Sequence, residues 1–230
     1  MRYLIVAFFM LFWMNTTQAQ IFEAGPYVGG SNFIGDVGAT DYINPNSLAF
    51  GGILKWNRSL RHSWRLTLIH TQLKADDANS NELRRQERGY SFSNALTELS
   101  VGMEFNFWEW DIYDINQKIT PYLSTGISGI FTHDLYLTSQ DELKTKKDKF
   151  GVAIPMIIGV KGKLSRRLTL AVEVGARMTF HDNLDGSNPK EYGGKNDYPA
   201  FGNKNTNDWY MFSGVTLTYV FGRKPCYDTF

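Results

Sequence analysis

The fold is decided by Leu168-Thr169-Leu170-Ala171-Val172-Glu173-Val174-Gly175-Ala176-Arg177-Met178-Thr179-Phe180. Every even-numbered position in this stretch is apolar, while Glu173, Arg177 and two threonines fall on odd-numbered positions. Successive side chains of a β-strand point to opposite faces, so this strand presents one apolar face and one polar face. A strand of this length, with one face suited to lipid and the other to a polar lumen, is typical of a membrane β-barrel.

The same alternation recurs along the chain and gives about eight strand candidates, each long enough to cross an outer membrane at the usual tilt. The candidates are residues 21–30, 47–57, 63–73, 95–107, 119–131, 150–163, 168–180 and 209–221. Their connections alternate between long polar segments and shorter turns, as external loops and periplasmic turns do in outer-membrane barrels. The sequence therefore predicts an all-β fold, a small antiparallel up-and-down transmembrane barrel with both termini in the periplasm. The alternative is a soluble sandwich with an aromatic core.

The first residues predict export. Met1-Arg2 supplies a positive charge, an apolar run follows, and Thr17-Gln18-Ala19 ends in the small residue that a signal peptidase prefers. The apolar run is too short to anchor the chain in a membrane. We therefore expect a cleaved signal peptide at 1–19, a barrel at 20–221, a periplasmic tail at 222–230, and a location in the outer membrane of a Gram-negative bacterium.

Composition limits the partners. The chain of 230 residues has a formal net charge of +1, and the lysines of its segment 141–149 are interleaved with acidic residues, which argues against an electrostatic nucleic-acid binder. The single cysteine, Cys226, cannot form an internal disulfide. In the periplasm it either pairs with a cysteine of a partner or remains a free thiol.

A set of charged residues falls on the polar face of the predicted strands. The set comprises Glu23, Lys55, Arg65, Glu98, Glu104, Lys161, Glu173 and Arg177. Acids and bases are balanced, and a barrel of about eight strands has an interior just wide enough for side chains. We therefore expect a paired charge network that plugs the lumen. A path for protons or ions through these charges is the alternative.

Aromatic residues are expected to form two girdles at the membrane interfaces. The candidates are Trp56, Trp64, Trp108, Trp110 and Tyr219 near the short-turn ends, and Tyr90, Phe92, Phe131, Phe150, Phe180 and Trp209 near the long-loop ends.

The sequence shows no pattern typical of a catalytic, cofactor or metal site. His70, His133 and His181 fall toward the predicted external rim, and Asp134 and Asp182 are adjacent in sequence to two of them. Neighbours along a strand point to opposite faces, so this adjacency is a poor argument for a catalytic dyad. One cysteine and scattered histidines do not supply a closed metal-ligand set. We expect a protein that is not an enzyme and has no small-molecule substrate.

Several stretches resemble the PorG-like outer-membrane proteins, with a DUF6089-type domain, of the type IX secretion and gliding apparatus of Bacteroidetes-type bacteria. The stretches are GGSNFIGDVG (29–38), KWNRS (55–59), KADD (74–77), RGYSF (88–92), ELSVGMEFNF (98–107), EVGAR (173–177) and DWYMF (208–212) through RKPC (223–226). The resemblance implies a small barrel that associates with the periplasmic ring built from PorK/GldK-like lipoproteins and PorN/GldN-like proteins.

Candidate contacts with such a ring can be inferred only from the predicted topology of the barrel. The predicted periplasmic side offers the short turns and the tail, with Arg58, Arg61, Trp108, Trp110, Arg166, Arg167, Arg223, Lys224 and Cys226 as candidate contacts. Gly214 to Phe221 has the pattern of a terminal barrel strand that is read by the insertion machinery, although any amphipathic strand shows it. Two other functions stay open: a lipid-modifying enzyme of the outer leaflet, and an adhesin or ligand-binding barrel that uses the long loops.

Overall fold

The computed structural model describes residues 21–114, 119–137, 143–180, 183–187, 201, 203 and 207–222. The predicted signal peptide lies outside the described residues, as do His181, Asp182, Arg223, Lys224 and Cys226. The elements are β1 (Ile21–Ile34), β2 (Ser47–Asn57), β3 (His62–Asp76), a 3-10 turn (Asp77–Asn79), α1 (Leu83–Arg88), β4 (Ser91–Asn106), β5 (Ile119–Leu137), β6 (Leu143–Lys163), β7 (Leu168–Thr179) and β8 (Trp209–Phe221).

The eight strands form one closed antiparallel barrel in chain order. Each strand pairs with the next, and β1 closes the barrel by pairing with β8 from Phe22 opposite Phe221 to Ile34 opposite Trp209. The predicted eight-stranded antiparallel barrel is therefore confirmed. We call the end with the connections 58–61, 107–118 and 164–167 the short-turn end, and the opposite end the long-loop end. Among the described residues, no helix has the length and apolarity needed to cross a membrane.

The alternation predicted from the sequence matches the two faces of the wall. On β7, Thr169, Glu173 and Arg177 are buried inside the barrel, whereas Val172 is exposed on the outside. The exposed apolar side chains of the other strands form a belt around the barrel. Its members include Val28, Leu48, Phe50, Leu66, Leu68, Val101, Ile127, Ile158, Val160 and Val215. An apolar surface of this extent requires an apolar surrounding such as a bilayer or a partner.

Several strands extend further than predicted at the long-loop end. β3 continues to Asp76 and β5 to Leu137, and β6 starts at Leu143. On β3 the prediction ends at Leu73, the last large apolar residue before a charged segment. The outward side chains from His70 onward are polar and exposed, but the backbone pairing with β4 continues as far as Asp76 opposite Ser91.

The predicted aromatic girdles need a correction. Side chains on the outer face include Trp64, Trp108, Tyr219, Phe131, Phe150 and Phe180. In contrast, Tyr90 and Phe92 are 8% and 5% exposed and belong to the interior core, because the long-loop segments fold over the barrel mouth. Trp110 is 2% exposed and packs inside the short-turn end. These three residues do not belong to an interfacial girdle.

Inward-facing glycines allow neighbouring strands to approach each other closely. Gly102 of β4 pairs with Gly126 of β5. A Cβ atom at Gly126 would lie 2.1 Å from the carbonyl oxygen of Val101. Only glycine permits this close approach of the two strands.

Candidate functional site: a filled lumen with two closed ends

The eight charged side chains predicted for the lumen all lie inside the barrel. None of them is more than 3% exposed. The structure brings five of them together around Glu104 and Glu173, places Glu98 and Arg177 in a second group, and leaves Glu23 with neutral partners. Such burial is tolerated only when each charge meets a counter-charge or several hydrogen bonds.

Glu104 is the centre of the larger group. Its carboxylate receives Lys161 Nζ at 2.7 Å on one oxygen and Lys55 Nζ at 2.7 Å on the other. Arg65 Nη1 lies 3.7 Å from the second oxygen. These partners come from strands β2, β3 and β6, so one carboxylate of β4 connects distant parts of the barrel wall.

Glu173 extends the same group. The guanidinium of Arg65 donates two hydrogen bonds to its carboxylate, at 2.8 and 2.6 Å. The Tyr122 hydroxyl donates to Glu173 at 2.5 Å, and Arg65 Nε donates to Thr67 at 3.1 Å. This bidentate arrangement fixes both the position and the plane of the Arg65 guanidinium.

The second group lies nearer the long-loop end. Arg177 Nε is 3.4 Å from Glu98, and the Tyr210 hydroxyl donates to Glu98 at 2.6 Å. The Arg177 guanidinium also donates to the carbonyl of Gly175 at 2.7 Å and lies 4.4 Å from the ring centre of Phe212. Arg177 therefore joins the charged level of the lumen to the aromatic level next to it.

Glu23 differs from the other lumen acids. Its carboxylate accepts hydrogen bonds from Asn57 Nδ2 at 2.8 Å and from Thr218 Oγ1 at 2.7 Å. Ser63 Oγ in turn donates to Asn57 at 2.6 Å. Neutral hydroxyl and amide groups thus hold this carboxylate in the interior.

Sequence reasoning missed the neutral members of these networks. Tyr122 and Tyr210 are fully buried and each donates to a lumen carboxylate. Their inward positions on β5 and β8 were available from the alternation. The charge pattern of the strands identifies ionised side chains alone, although a buried carboxylate needs hydrogen-bond donors as well as cations.

An apolar core fills the lumen at the long-loop end. It contains Tyr27, Phe33, Val37, Ala49, Ile69, Leu73, Ala75, Tyr90, Phe92, Leu96, Ile130, Leu135, Ala153, Leu184, Tyr210 and Phe212. Val37, Tyr90 and Leu184 come from three different long connections, so the loops supply part of the core. The lumen is therefore charged in one half and apolar in the other.

Asp77 holds two of the long-loop segments together. Its buried carboxylate accepts hydrogen bonds from Arg88 Nε at 2.6 Å, from the backbone of Gly38 at 2.9 Å and from the backbone of Tyr90 at 3.1 Å. Burial opposes ionisation, but these hydrogen bonds and the charge of Arg88 hold the pKa of Asp77 below its usual range. We call the long-loop segments that cover the barrel mouth, residues 35–46, 77–90 and 183–187, the cap. The ionised carboxylate of Asp77 therefore stabilises the cap at neutral pH.

Asp185 is buried in the same cap with fewer partners. One carboxylate oxygen accepts a hydrogen bond from the backbone of Ser187 at 2.9 Å, while the other has no partner among the described residues. Burial raises the pKa of Asp185 to about 6, despite the lowering effect of Ser187. Tyr90 donates to the carbonyl of Asp185 at 2.7 Å and links this segment to Asp77.

The short-turn end is closed by residues 107–114, which follow β4. Trp110 of this segment is anchored by its backbone, which donates to Leu60 at 2.8 Å. Its ring lies 5.2 Å from Lys161 Nζ and 5.0 Å from Lys163 Nζ. Lys163 also donates to the carbonyls of Asp111 and Asp114. The segment thus folds back into the barrel mouth.

The candidate partner contacts occupy different environments. Arg58, Arg61, Trp108, Arg166 and Arg167 are exposed at the short-turn end. Arg61 Nη1 donates to the carbonyl of Phe107 at 3.1 Å. Arg167 donates to the Tyr219 hydroxyl at 2.9 Å. The expectation that Trp110 presents a contact surface is wrong, because its ring packs inside the barrel mouth.

The histidines do not assemble into one site. His62 lies at the short-turn end, and His70 points outward from β3 with Nδ1 2.9 Å from Thr97 Oγ1. His133 Nδ1 lies 2.8 Å from Asp148, whose side chain is 92% exposed. Among the described residues, no group of three or more His, Cys, Asp or Glu side chains is arranged to hold a metal ion.

We predict that the purified protein gives no stable unitary currents in planar bilayers. The charge networks and the apolar core occupy the lumen, and the residues around Trp110 pack into the short-turn end, so we expect no continuous water path through the described part of the barrel. The measurement is single-channel recording at several voltages, with a large open porin reconstituted in the same way as the positive control. Reproducible current steps from the purified barrel would show that the lumen conducts.

Comparison with known proteins gives one family match. The family described as "Domain of unknown function (DUF6089)" matches residues 2–229. No curated protein sequence matches the chain.

Several solved structures are similar to the chain. A major outer membrane protein from Thermus thermophilus has a TM-score of 0.47 and 15% identity, covering 88% of this chain and 100% of that chain. Ail, the attachment invasion locus protein of Yersinia pestis, in complex with the heparin analogue sucrose octasulfate has a TM-score of 0.46 and 8% identity, covering 89% and 100%. The N-terminal β-barrel domain of Pseudomonas aeruginosa OprF has a TM-score of 0.45 and 10% identity, covering 89% of this chain and 98% of that chain.

Proposed function

The chain belongs to the DUF6089 family, and we propose that it is a non-enzymatic outer-membrane barrel that anchors or positions the periplasmic lipoprotein ring of the type IX secretion apparatus. The observation that carries this proposal is the filled lumen inside an apolar belt. A barrel with this belt is suited to a bilayer, while its filled interior is unsuited to the passage of solutes or polypeptides. The two ends are then the surfaces available for function.

The short-turn end is the surface that we assign to the ring. Outer-membrane barrels place short turns in the periplasm, and the ring of the resembling family is periplasmic. This end presents the exposed side chains of Arg58, Arg61, Arg166 and Arg167 together with the exposed Trp108. Arginine and tryptophan are the residue types that most often dominate the energy of protein interfaces. The partners are proteins of the PorK/GldK and PorN/GldN type, and outer-membrane lipid surrounds the belt.

We predict that Arg166→Glu reduces recovery of the ring proteins at least about fivefold, because it replaces an exposed cation of the docking surface with an anion. The measurement is affinity capture of the tagged barrel from membranes in mild detergent, with quantitative mass spectrometry of the captured proteins. The matched control is Arg84→Glu in α1, an equally large charge reversal on an exposed arginine at the opposite end. Equal ring recovery with both variants would remove Arg166 from the docking surface.

Deletion of the gene separates the proposed function from the two alternatives. Loss of secretion of many unrelated cargo proteins supports the secretion role. An altered mass of lipid A with normal secretion would indicate an enzyme of the outer leaflet. Normal secretion and normal lipid A, together with failure to capture any ring protein, would contradict the proposal and favour a role for the long loops in ligand binding.

A further inference from the structure

We propose that the barrel carries a specific phospholipid site on its outer rim at the short-turn end, where the phosphate of an anionic phospholipid lies between Arg58, Ser59 and His62. The site is a recess of about 380 Å³ lined by Arg58, Ser59, His62, Ser63, Trp64 and Met103. It rests on the placement of the belt in a membrane under the proposed function, and it adds a lipid ligand that this function does not require.

The register of three strands builds the recess. Trp56 of β2 is opposite Trp64 of β3. Trp64 is opposite Met103 of β4, and His62 is opposite Phe105. All of these side chains lie on the outer face. The tight turn after β2 then places Arg58 and Ser59 beside His62, because the backbone amides of both residues donate to the carbonyl of His62, at 3.2 and 3.1 Å.

The polar groups of the recess suit a phosphate. The Arg58 guanidinium lies 5.8 Å from the ring centre of Trp56, and the His62 ring lies 5.2 Å from the ring centre of Phe105. Ser59 Oγ accepts from the backbone amide of His62 at 3.0 Å, which leaves its own hydroxyl proton available to a ligand or to His62 Nδ1 at 3.4 Å. Guanidinium, imidazole and hydroxyl donors together recognise phosphate oxygens.

The walls of the recess favour a lipid over a soluble phosphate. Trp64 and Met103 are 46% and 45% exposed and continue the apolar belt directly below the polar groups. A phospholipid would place its headgroup against Arg58 and its acyl chain along these two side chains. None of the described residues that line the recess is acidic, so no carboxylate of the recess competes for the guanidinium.

The other short turns do not repeat this arrangement. In the turn between β6 and β7, Arg167 donates to the Tyr219 hydroxyl at 2.9 Å. In the β4 to β5 connection, Trp110 is packed inside the barrel mouth. Positive charge is therefore present at several turns, and at the β2 to β3 turn it lies beside an outward recess. The site is predicted to select one position on the barrel circumference.

Native mass spectrometry with added lipid tests the proposal. The full chain in mild detergent is titrated with phosphatidylglycerol, and retained lipid is counted for the parent protein, Arg58→Gln and Arg166→Gln. We expect Arg58→Gln to weaken phosphatidylglycerol retention by about fivefold to tenfold, because one charge-assisted contact at a partly solvated site is lost. Arg166→Gln removes an equal charge from another exposed turn and is expected to leave retention unchanged.

Three outcomes would overturn the site. They are equal retention by the two variants, equal retention of phosphatidylcholine, and displacement of the lipid by millimolar inorganic phosphate, which would indicate a soluble anion as the ligand. Folding of each variant is checked by its heat-dependent migration on gels. Recovery of the protein outside the membrane fraction would contradict the proposed function, whereas loss of selectivity in a membrane-inserted barrel would contradict this inference alone.

Discussion

Replacement of Glu104 by alanine is expected to lower the free energy of unfolding by about 3 to 5 kcal/mol, the usual cost of removing one partner from a buried ion pair. The carboxylate contacts Lys55 and Lys161 at 2.7 Å each, and all three side chains are at most 1% exposed. Without Glu104 the two ammonium groups remain in the interior without their shared counter-charge. Water must then enter the barrel to solvate these two groups.

The measurement is urea-induced unfolding of the barrel in lipid vesicles, followed by tryptophan fluorescence. The matched control is Glu109→Ala, which removes a carboxylate whose side chain is 63% exposed and lies 3.5 Å from Arg61. This exposed pair is expected to contribute less than about 1 kcal/mol. The double variant Glu104→Ala with Lys161→Met removes one cation together with the anion and is expected to recover part of the loss.

A loss below about 1 kcal/mol in Glu104→Ala would contradict a dry network, since only hydrated ammonium groups tolerate the removal of their counter-charge at such low cost. The recovery in the double variant separates the charge effect from a packing effect. If Glu104 acted only through its volume, replacing Lys161 as well would add a second defect and lower the stability further.

The alternation along single strands predicted the inside and outside of the wall, but it did not predict the charge pairs. Glu173 and Arg177 were assigned to the interior because both occupy odd-numbered positions of β7, which form its polar face. Their partners, Arg65 and Glu98, come from strands across the barrel, and which side chains meet there depends on the stagger and coiling of the closed sheet. A strand pattern carries no information about that stagger.

The ends of the barrel were harder to predict than the wall. Tyr90 and Phe92 are of the residue types found in interfacial girdles. They are buried because the cap, which is held together by Asp77, Arg88 and Gly38, folds over the barrel mouth. Trp110 has the same ambiguity, since aromatic side chains favour both an interface and an apolar interior. Only the tertiary course of the loops decides between these two environments.

Replacement of Asp185 by asparagine is expected to stabilise the long-loop cap by up to about 3 kcal/mol above pH 6, with little effect near pH 4. Burial raises the pKa of Asp185 to about 6 in the fold, against an ordinary value of 3.8. The folded cap therefore binds more protons than the open cap between these values, and its stability falls as the pH rises from about 4 to about 6. Above about pH 6 the free-energy cost of ionising the buried Asp185 is constant.

Neighbouring charged groups do not cancel the pH dependence that Asp185 gives to the stability of the cap. The pKa of Asp77 is lowered by Arg88 and by backbone hydrogen bonds that act against burial, so its contribution is complete above its ordinary value of 3.8 and is lost only at more acidic pH. Asp36 acts in the same direction as burial, because its charge raises the pKa of Asp185 further. Asparagine retains the oxygen that accepts from Ser187, so the variant removes the ionisable group and preserves the hydrogen bond.

Hydrogen exchange of the segment 183–187, corrected for the intrinsic pH dependence of exchange, measures the opening of the cap directly. Protection in the parent protein is expected to fall between pH 4 and pH 6, whereas Asp185→Asn is expected to keep it constant over that window. The control is Asp41→Asn, which neutralises an exposed carboxylate at the same end and should follow the parent. A parent profile that is flat across this window would show that Asp185 is ionised at little cost, and hence that water reaches it inside the closed cap.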